Sequence, residues 1–456
     1  MTAADVVVVG AGPAGLAAAA AAARAGASTV LVDAYERPGG QYFRQPASVT
    51  RNRSGVQERG RHLAARALSV GVEFRPHTAV WDATPTDLHL VTGGTVSTLA
   101  FRAAVVATGA HERVAAFPGW TLPGVYAAGA VQALLKEHDL VPGRRVLVAG
   151  SGPLPLVVAA ALVHRPVRVA GVLEATRLAV ETVRHPWIGA AGLWAQGARM
   201  REGLAGTVRL LRHRVPVRTG WGIVRALGDS EVEAAEVARL DPQWRPVAGS
   251  ERTVECDTLA VHHGLVPNTD VLRLIGADVV RRPDLGGWVP VRTPWLETSI
   301  PGVFAAGDCA GIGGAALSLV EGDVAGAAAA CHALGREPVR HTARQRAALA
   351  RERRFQRLYA ALFAARPGLT GLPRPDTVVC RCEETTRGEI DAAIAAGART
   401  TALVKSTTRC GMGPCQGRIC LPLVEQLTAT ATGVPPVPVT ARAPLVPIPF
   451  DAVRRC

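Results

Sequence analysis

Asp5-Val6-Val7-Val8-Val9-Gly10-Ala11-Gly12-Pro13-Ala14-Gly15 decides the fold of this chain. Four consecutive valines suit a strand buried on both faces, and the alanine run after Gly15 is a strong helix former. The glycines between them have G-x-G-x-x-G spacing. In such a strand-turn-helix Gly10 permits the tight turn, Gly12 lets backbone approach a pyrophosphate, and Gly15 lets the helix pack closely on the strand. The amides at the helix start then face the phosphates. The next strand, Thr29-Val30-Leu31-Val32, ends on Asp33, whose carboxylate is placed for ribose hydroxyls.

The same grammar recurs outward from this stretch. An apolar strand at Ala103-Ala104-Val105-Val106-Ala107 closes on Thr108-Gly109, and Gly302-Val303-Phe304-Ala305-Ala306-Gly307-Asp308 supplies a late Gly-Asp. Between them Arg145-Val146-Leu147-Val148-Ala149-Gly150 opens a second turn, Gly150-Ser151-Gly152-Pro153-Leu154-Pro155, followed by a strand ending on Glu174. Pro155 replaces the third glycine, which normally permits close helix–strand contact, so a second bound nucleotide is in doubt. The helix itself survives, because proline is tolerated in a first turn.

The expected fold class is α/β, with two dinucleotide-binding, Rossmann-like domains, one inserted in the other, and a small C-terminal cysteine-bearing module. The boundaries fall at 1–115 with 261–335 for the first domain and 116–260 for the insert. An Arg-rich linker helix covers 336–375, the cysteine module 376–430, and an extended arm 431–456.

The chain has 456 residues, 48% hydrophobic and 19% charged, which excludes wholesale disorder. Its net charge of +14 comes from 51 basic and 37 acidic residues, and Lys136 and Lys405 are the only lysines. The arginines are scattered and aromatics are 4%, so nucleic-acid binding is not expected. The uncharged run from Val6 to Ala23 is long enough to span a membrane, but the glycines and Pro13 make it a buried strand-turn-helix rather than a transmembrane segment. With a strand so close to Met1 no secretory signal is expected, and cytoplasmic residence follows.

Six of the nine cysteines lie beyond position 379. Cys256, Cys309 and Cys331 are isolated, and neither dinucleotide fold holds a C-x-x-C, which disfavours a dithiol reductase. Cys380-Arg381-Cys382 and Cys415-Gln416-Gly417-Arg418-Ile419-Cys420 supply C-x-C and C-x4-C, a donor set for a [2Fe-2S] cluster or, less naturally, for zinc. Arg381, Lys405, Arg409 and Arg418 would offset the thiolate charge. Cys410 and Cys415 also stand at C-x4-C, so spacing alone does not choose four from five. The helix-like run after Cys420 favours Cys380, Cys382, Cys415 and Cys420 as ligands, with Cys410 beside the cluster.

With these motifs in place the chain resembles the alpha subunits of the opine oxidase, hydroxyproline dehydrogenase and hydrogen cyanide synthase families, and more distantly heterotetrameric sarcosine oxidase alpha. The resemblance rests on Pro38-Gly39-Gly40-Gln41, Phe117-Pro118-Gly119-Trp120-Thr121-Leu122-Pro123-Gly124-Val125 and Gly150-Ser151-Gly152-Pro153-Leu154. Thr408-Arg409-Cys410-Gly411-Met412-Gly413-Pro414-Cys415-Gln416-Gly417-Arg418 is its most distinctive motif, in a segment similar to bacterioferritin-associated ferredoxin. The resemblance implies FAD held by Gly10, Gly12, Ala14, Gly15, Asp33, Arg37, Gly40, Gln41, Val80, Thr108, Gly109, Gly307 and Asp308. It further implies a beta subunit that carries its own FAD and oxidises an amine or imino acid, a further small subunit in some complexes, and in some members an FMN at the subunit interface. The expected function is an electron-transfer flavoprotein subunit. The alternatives are a stand-alone NAD(P)H-dependent FAD/iron-sulfur reductase and a scaffold with a structural nucleotide. No catalytic base is assigned: His262 and His263 point to opposite faces of a strand, and His111 and Glu112 follow the turn at Thr108-Gly109-Ala110.

Overall fold

A computed structural model describes residues 2–48, 54–177, 180–181, 197–338 and 341–450. Residues 451–456 of the expected arm, with Cys456, and residues 339–340 of the expected linker lie outside the described residues. The chain divides into two compact units. Unit 1 comprises Met1–His111, Val266–Arg357 and Thr440–Cys456, and unit 2 comprises Glu112–Leu265 and Leu358–Val439.

Unit 1 is built on the valine run. Strand β1 (Thr2–Val9) lies at the centre of a parallel core, with β2 (Thr29–Val32) on one side in register Val6 to Thr29 and Val9 to Val32. On its other side runs the long strand Thr95–Val106, in register Val6 to Ala103 and Val9 to Val106. The far edge of that long strand takes two partners. Its first half pairs antiparallel with Asp87–Thr92, and its last residues pair parallel with Val303–Ala305. The sheet thus brings the ends of β1, β2 and Val303–Ala305 to one edge, where the glycine turns and Asp33 sit.

Both faces of this sheet are covered, which is why β1 is a continuous apolar run instead of an alternating one. Val6 and Val8 face an alanine-rich layer with Leu16, Ala18, Ala325 and Ala329, whereas Val7 and Val9 face Leu88, Leu99, Val271 and Leu272. Helix α1 (Pro13–Arg24) and the helix Gly314–Ala333 form the first of these layers. They pack at backbone distance: a Cβ on Gly322 would lie 2.1 Å from the Ala14 carbonyl oxygen, and one on Gly326 would lie 2.1 Å from that of Ala18. Gly314–Ala333 is long and apolar enough by composition to cross a membrane, yet most of it is buried in this unit as a core helix.

Unit 2 repeats the theme. Its parallel sheet runs Val217–Thr219, β4 (Arg168–Glu174), β3 (Arg145–Gly150), Thr258–His262, Val125–Ala127, with α2 (Pro153–Leu162) following β3. A three-stranded antiparallel sheet, Trp221–Leu227, Ala234–Arg239 and Arg252–Glu255, lies on the same unit. The cysteine-bearing segment shares this unit's core: Val379, Ile390, Val404 and Val424 belong to one buried cluster with Phe117, Leu147, Ile223 and Trp244. The indole of Trp120 donates to the Val378 carbonyl at 2.6 Å and ties the two together.

The helix contact in unit 1 has no slack for a methyl group. Gly326→Ala is expected to lower unfolding free energy by about 1–3 kcal/mol through overpacking, read as a lower urea midpoint with an unchanged slope. An unshifted midpoint would show that the two helices separate freely.

Candidate functional site

The turn after β1 closes on itself. Gly10 has φ +101°, and a Cβ there would lie 2.5 Å from the Ala107 carbonyl oxygen, while one on Gly15 would lie 1.7 Å from that of Gly10. Asp33, at the end of β2, holds the turn from the side. Its Oδ2 accepts the Ala11 amide at 2.5 Å and its Oδ1 accepts the Tyr35 amide at 2.8 Å. Burial pushes this carboxyl above its ordinary value, and the two amides pull it back. Each carboxylate oxygen keeps a further lone pair for a ribose hydroxyl. Over Gly12 a Cβ would meet nothing within 4 Å, so the start of α1 faces open space. Gly40 approaches the turn from the other side, its Cβ position 2.8 Å from the Gly12 Cα.

A second set of residues in unit 1 shapes the Gly307-Asp308 turn. Asp308 is partly buried, and desolvation raises its carboxyl; its Oδ1 accepts the amides of Gly313 and Gly314 at 2.9 Å each. Those two amides at the start of the helix Gly314–Ala333 are therefore committed to Asp308. The Gly307 amide donates to Glu321 Oε2 at 3.0 Å. Glu321 is 2% exposed and is paired with Arg292 through both guanidinium nitrogens, at 3.0 and 3.3 Å. Arg292 also donates to the carbonyls of Ala305 and Ala310, on either side of the turn. Sequence reasoning missed this clamp, and the signal available was Glu321 in a mostly apolar helix whose other acidic residue is Asp323.

Thr108 and Gly109 are fixed by Asn268, which accepts from the Thr108 hydroxyl at 2.7 Å and donates its amide to the Gly109 carbonyl at 2.9 Å. The Asn268 Oδ1 is buried with no partner among the described residues. A buried acceptor beside Gly109, together with the open floor over Gly12, fits a bound dinucleotide with hydroxyl or ring N–H donors.

Three of the expected cofactor residues stand differently. Arg37 donates to the carbonyls of Pro46 and Ala47 and so is tied to its own loop. Gln41 is exposed, donating to the Tyr35 hydroxyl at 3.3 Å and accepting from Arg44 at 3.0 Å. The Val80 side chain is part of the hydrophobic core, which leaves only its backbone for a ligand.

In unit 2 the corresponding turn is filled from within. Glu174 Oε2 accepts the Gly152 amide at 3.0 Å and Oε1 accepts that of Thr176 at 2.8 Å, repeating the Asp33 arrangement. Burial dominates here, and the Glu174 carboxyl is raised to about 7. Where Gly12 is open, Gly152 is covered: a Cβ on it would lie 3.0 Å from the Tyr359 hydroxyl and 3.8 Å from Phe363 Cγ. Both rings lie on the last turns of the helix Ala343–Phe363, in residues that belong to unit 2.

The cysteine segment is organised by caps. Thr386 and Glu389 form a reciprocal capping box at the start of Arg387–Ala395, and the Thr400 hydroxyl caps Thr401–Thr408. The second helix stops at Arg409, φ +62°, and so delivers Cys410 to the interior. Cys420 stands at the N-cap of Leu421–Thr432. The sulfurs of Cys380, Cys410 and Cys420 lie within 4.8 Å of one another, and all three residues are buried. Cys382 is exposed and Cys415 partly so; these two sulfurs are hydrogen-bonded to each other. The structure thus brings two of the four expected ligands, Cys380 and Cys420, together with Cys410, and sets Cys382 beside Cys415. The Gly411 amide donates to Cys380 Sγ at 3.4 Å, the bond a metal-bound thiolate accepts. Hydrogen bonding to Cys410, then burial, pushes the Cys420 thiol far up, and burial raises those of Cys380 and Cys382. Cys380 and Cys420, buried as they are, would need a metal to be held as thiolates, which fits the iron–sulfur cluster their spacing with Cys382 and Cys415 points to.

Sequence reasoning also did not foresee that Glu112 and His262 meet. Glu112 Oε1 is 2.6 Å from His262 Nδ1, and Oε2 accepts the Gly129 amide at 2.7 Å. The two residues lie far apart in sequence, and no local pattern links them. His263, on the opposite face, is buried against Trp244 and lowered to about 3 by burial, so it is neutral.

Two family descriptions match the chain. Residues 4–347 match the family described as pyridine nucleotide-disulphide oxidoreductase, and residues 378–429 match the BFD-like [2Fe-2S] binding domain. Hydrogen cyanide synthase subunit HcnB of Pseudomonas aeruginosa is 35% identical, over 98% of this chain and 97% of its own length. An opine oxidase subunit of Rhizobium meliloti is 33% identical, over 98% of both chains. Among solved structures, L-proline dehydrogenase from P. horikoshii superposes with a TM-score of 0.70 at 19% identity, covering 99% of this chain and 79% of that one, a likeness of fold.

Two outcomes test this geometry. Asp33→Ala removes a charged acceptor, a loss of about 1.5–3 kcal/mol, so FAD binding should weaken by about 10- to 150-fold in equilibrium titration; unchanged affinity would take Asp33 out of the site. Glu174 tests the filled turn. Its folded pKa of about 7 stands above the ordinary value of 4.5, so between those values the folded state binds more protons than the unfolded one. Stability contributed by the protonated form is full below about 4.5 and is lost as pH rises through about 7, by roughly 3 kcal/mol. Glu174→Gln, which mimics the protonated acid, should remove this fall when denaturation midpoints are compared from about pH 4.5 to about pH 8. Parallel profiles for the two proteins would mean that Glu174 is ionised throughout.

Proposed function

Because this chain belongs to the family of hydrogen cyanide synthase subunit HcnB and its opine oxidase counterpart, FAD-dependent oxidoreductase subunits with a BFD-like [2Fe-2S] domain, we propose that it is the electron-transfer subunit of such a complex. Substrate oxidation, of an amine or imino acid, then falls to a partner subunit with its own FAD. When bound, FAD accepts electrons in pairs and a [2Fe-2S] centre passes them singly, which suits a relay. The observation that carries the reading is the contrast between the two turns: open over Gly12, covered by Tyr359 and Phe363 over Gly152.

The chain's own residues have holding roles in this reading. Asp33 takes the ribose, the start of α1 takes the pyrophosphate, and Asp308, fixed by the Arg292–Glu321 clamp, takes the ribityl chain. Cys380, Cys382, Cys415 and Cys420 hold the cluster. Tyr359 and Phe363 cover the Gly152 turn that a nicotinamide nucleotide would need open, which weighs against the stand-alone NAD(P)H reductase. An interface FMN and a further small subunit rest on the resemblance alone and have no part in this reading.

The experiment is a dye-reduction assay of the isolated chain with amines, imino acids, NADH and NADPH, repeated with the product of the neighbouring reading frame added. The expected result is no turnover alone and turnover with the partner. Turnover of NAD(P)H by the chain alone, on the order of 1–10³ per second, would establish the reductase, and turnover of an amine alone would remove the division of labour.

A further inference from the structure

The receiving edge of unit 1 has an order that its strand register fixes. Val32 pairs with Val9, Val9 with Val106 and Val106 with Ala305, so four strand ends form one row across the sheet. The turns that follow them leave side by side. Asp33 follows the first, Gly10 the second, Thr108-Gly109 the third and Gly307-Asp308 the fourth. Neighbouring strands lie about 4.8 Å apart, so Asp33 and Asp308 stand three spacings, about 14 Å, from each other. An extended dinucleotide whose ribose meets Asp33 and whose pyrophosphate meets the start of α1 then carries its other half past Gly109.

Asn268 stands at the third place in this row. Its backbone is committed on both sides, the amide donating to the Gly109 carbonyl at 2.9 Å and the carbonyl accepting from the Thr108 hydroxyl at 2.7 Å. Its side chain is not. The carboxamide oxygen is buried and meets no donor among the described residues. Space is scarce along most of the row: a Cβ on Gly10 would lie 2.5 Å from the Ala107 carbonyl oxygen, and one on Gly307 would lie 2.8 Å from the Ala14 Cβ. Over Gly109, as over Gly12, a Cβ would meet nothing within 4 Å. A buried acceptor without a donor costs stability, and beside open space it is accounted for by a donor that comes from outside the chain.

We propose that Asn268 is a cofactor-binding residue that recognises the flavin half of FAD, its carboxamide oxygen accepting a hydrogen bond from a ring N–H or ribityl hydroxyl. The inference rests on the placement of FAD given above, with the adenosine ribose on Asp33 and the ribityl chain towards Asp308, and is independent of the relay. The adenosine half has donors of its own, but Asp33, which takes that half, lies two strand spacings from Gly109, about 10 Å. Asn268 thereby separates FAD from nucleotides that share only its adenosine diphosphate part.

The test uses the full chain stripped of FAD. FAD affinity is read by quenching of flavin fluorescence, and ADP affinity as competition against FAD. Asn268→Leu has a side chain of similar size, keeps both backbone bonds and removes the acceptor. FAD should then bind about 5- to 100-fold more weakly, while ADP, which has no flavin half, should compete within about twofold of native. The melting temperature of the stripped variant should not fall, because the acceptor has no partner there to lose. Asp33→Ala should weaken FAD and ADP alike, which marks the opposite end of the row. Equal weakening of FAD and ADP in Asn268→Leu, or unchanged FAD affinity, would overturn the assignment. A lower melting temperature of the stripped variant would overturn it too, by making Asn268 a structural residue. ADP competition unchanged by Asp33→Ala would instead remove the placement of FAD itself, and the inference with it.

Discussion

A buried carboxylate at the end of a strand, satisfied by the amides of a neighbouring glycine turn, is the constraint on which both halves of this molecule depend. Asp33 does this for Ala11, and Glu174 does it for Gly152. A carboxylate removed from water costs several kcal/mol unless such donors replace the lost solvent. The turn must therefore be built close to the strand end, and glycine backbone is what permits the approach. From that one requirement follow the register of the parallel strands, the position of each helix start and the edge at which a nucleotide is received.

The two copies of the arrangement differ in what lies in front of them. In unit 1 the space over Gly12 is open, and an unpartnered Asn268 acceptor stands beside Gly109. In unit 2 the chain's own Tyr359 and Phe363 cover Gly152, and Glu174 is held near neutrality by burial. The same local grammar thus yields a receiving site once and a filled one the second time. Unit 2 turns instead to the cysteine segment, which it folds into its own core through Trp120 and Val379. The unit whose Gly152 turn is covered also carries the cysteine segment.

The elements legible in the sequence were those with local signatures. The valine run, the Gly10-to-Gly15 turn, Asp33 and Gly307-Asp308 could be placed because strand, turn and helix periods are short-range patterns. Pro155 signalled that the second turn had changed, though no local pattern reveals that Tyr359, some two hundred residues on, fills it. The Arg292–Glu321 clamp and the Glu112–His262 pair were invisible for the same reason, since only the sheet topology brings them together. The spacing of Cys380, Cys382, Cys415 and Cys420 marked a metal module. The place of Cys410 among them needed the three-dimensional arrangement of helix ends at Arg409 and Cys420. Arg37 and Val80 show the converse limit, where the resemblance implies a contact and the side chain is engaged elsewhere.

The central claim is that electrons enter this chain from a partner protein and not from a nicotinamide nucleotide. Freeze-quench EPR tests it most directly. The oxidised chain is mixed anaerobically either with its substrate-reduced partner or with excess NADH, and the reduced-cluster signal is followed in time. The expected result is a signal that grows with the reduced partner and stays absent with NADH. A cluster signal that rises with NADH alone, on the timescale of turnover, would contradict the claim.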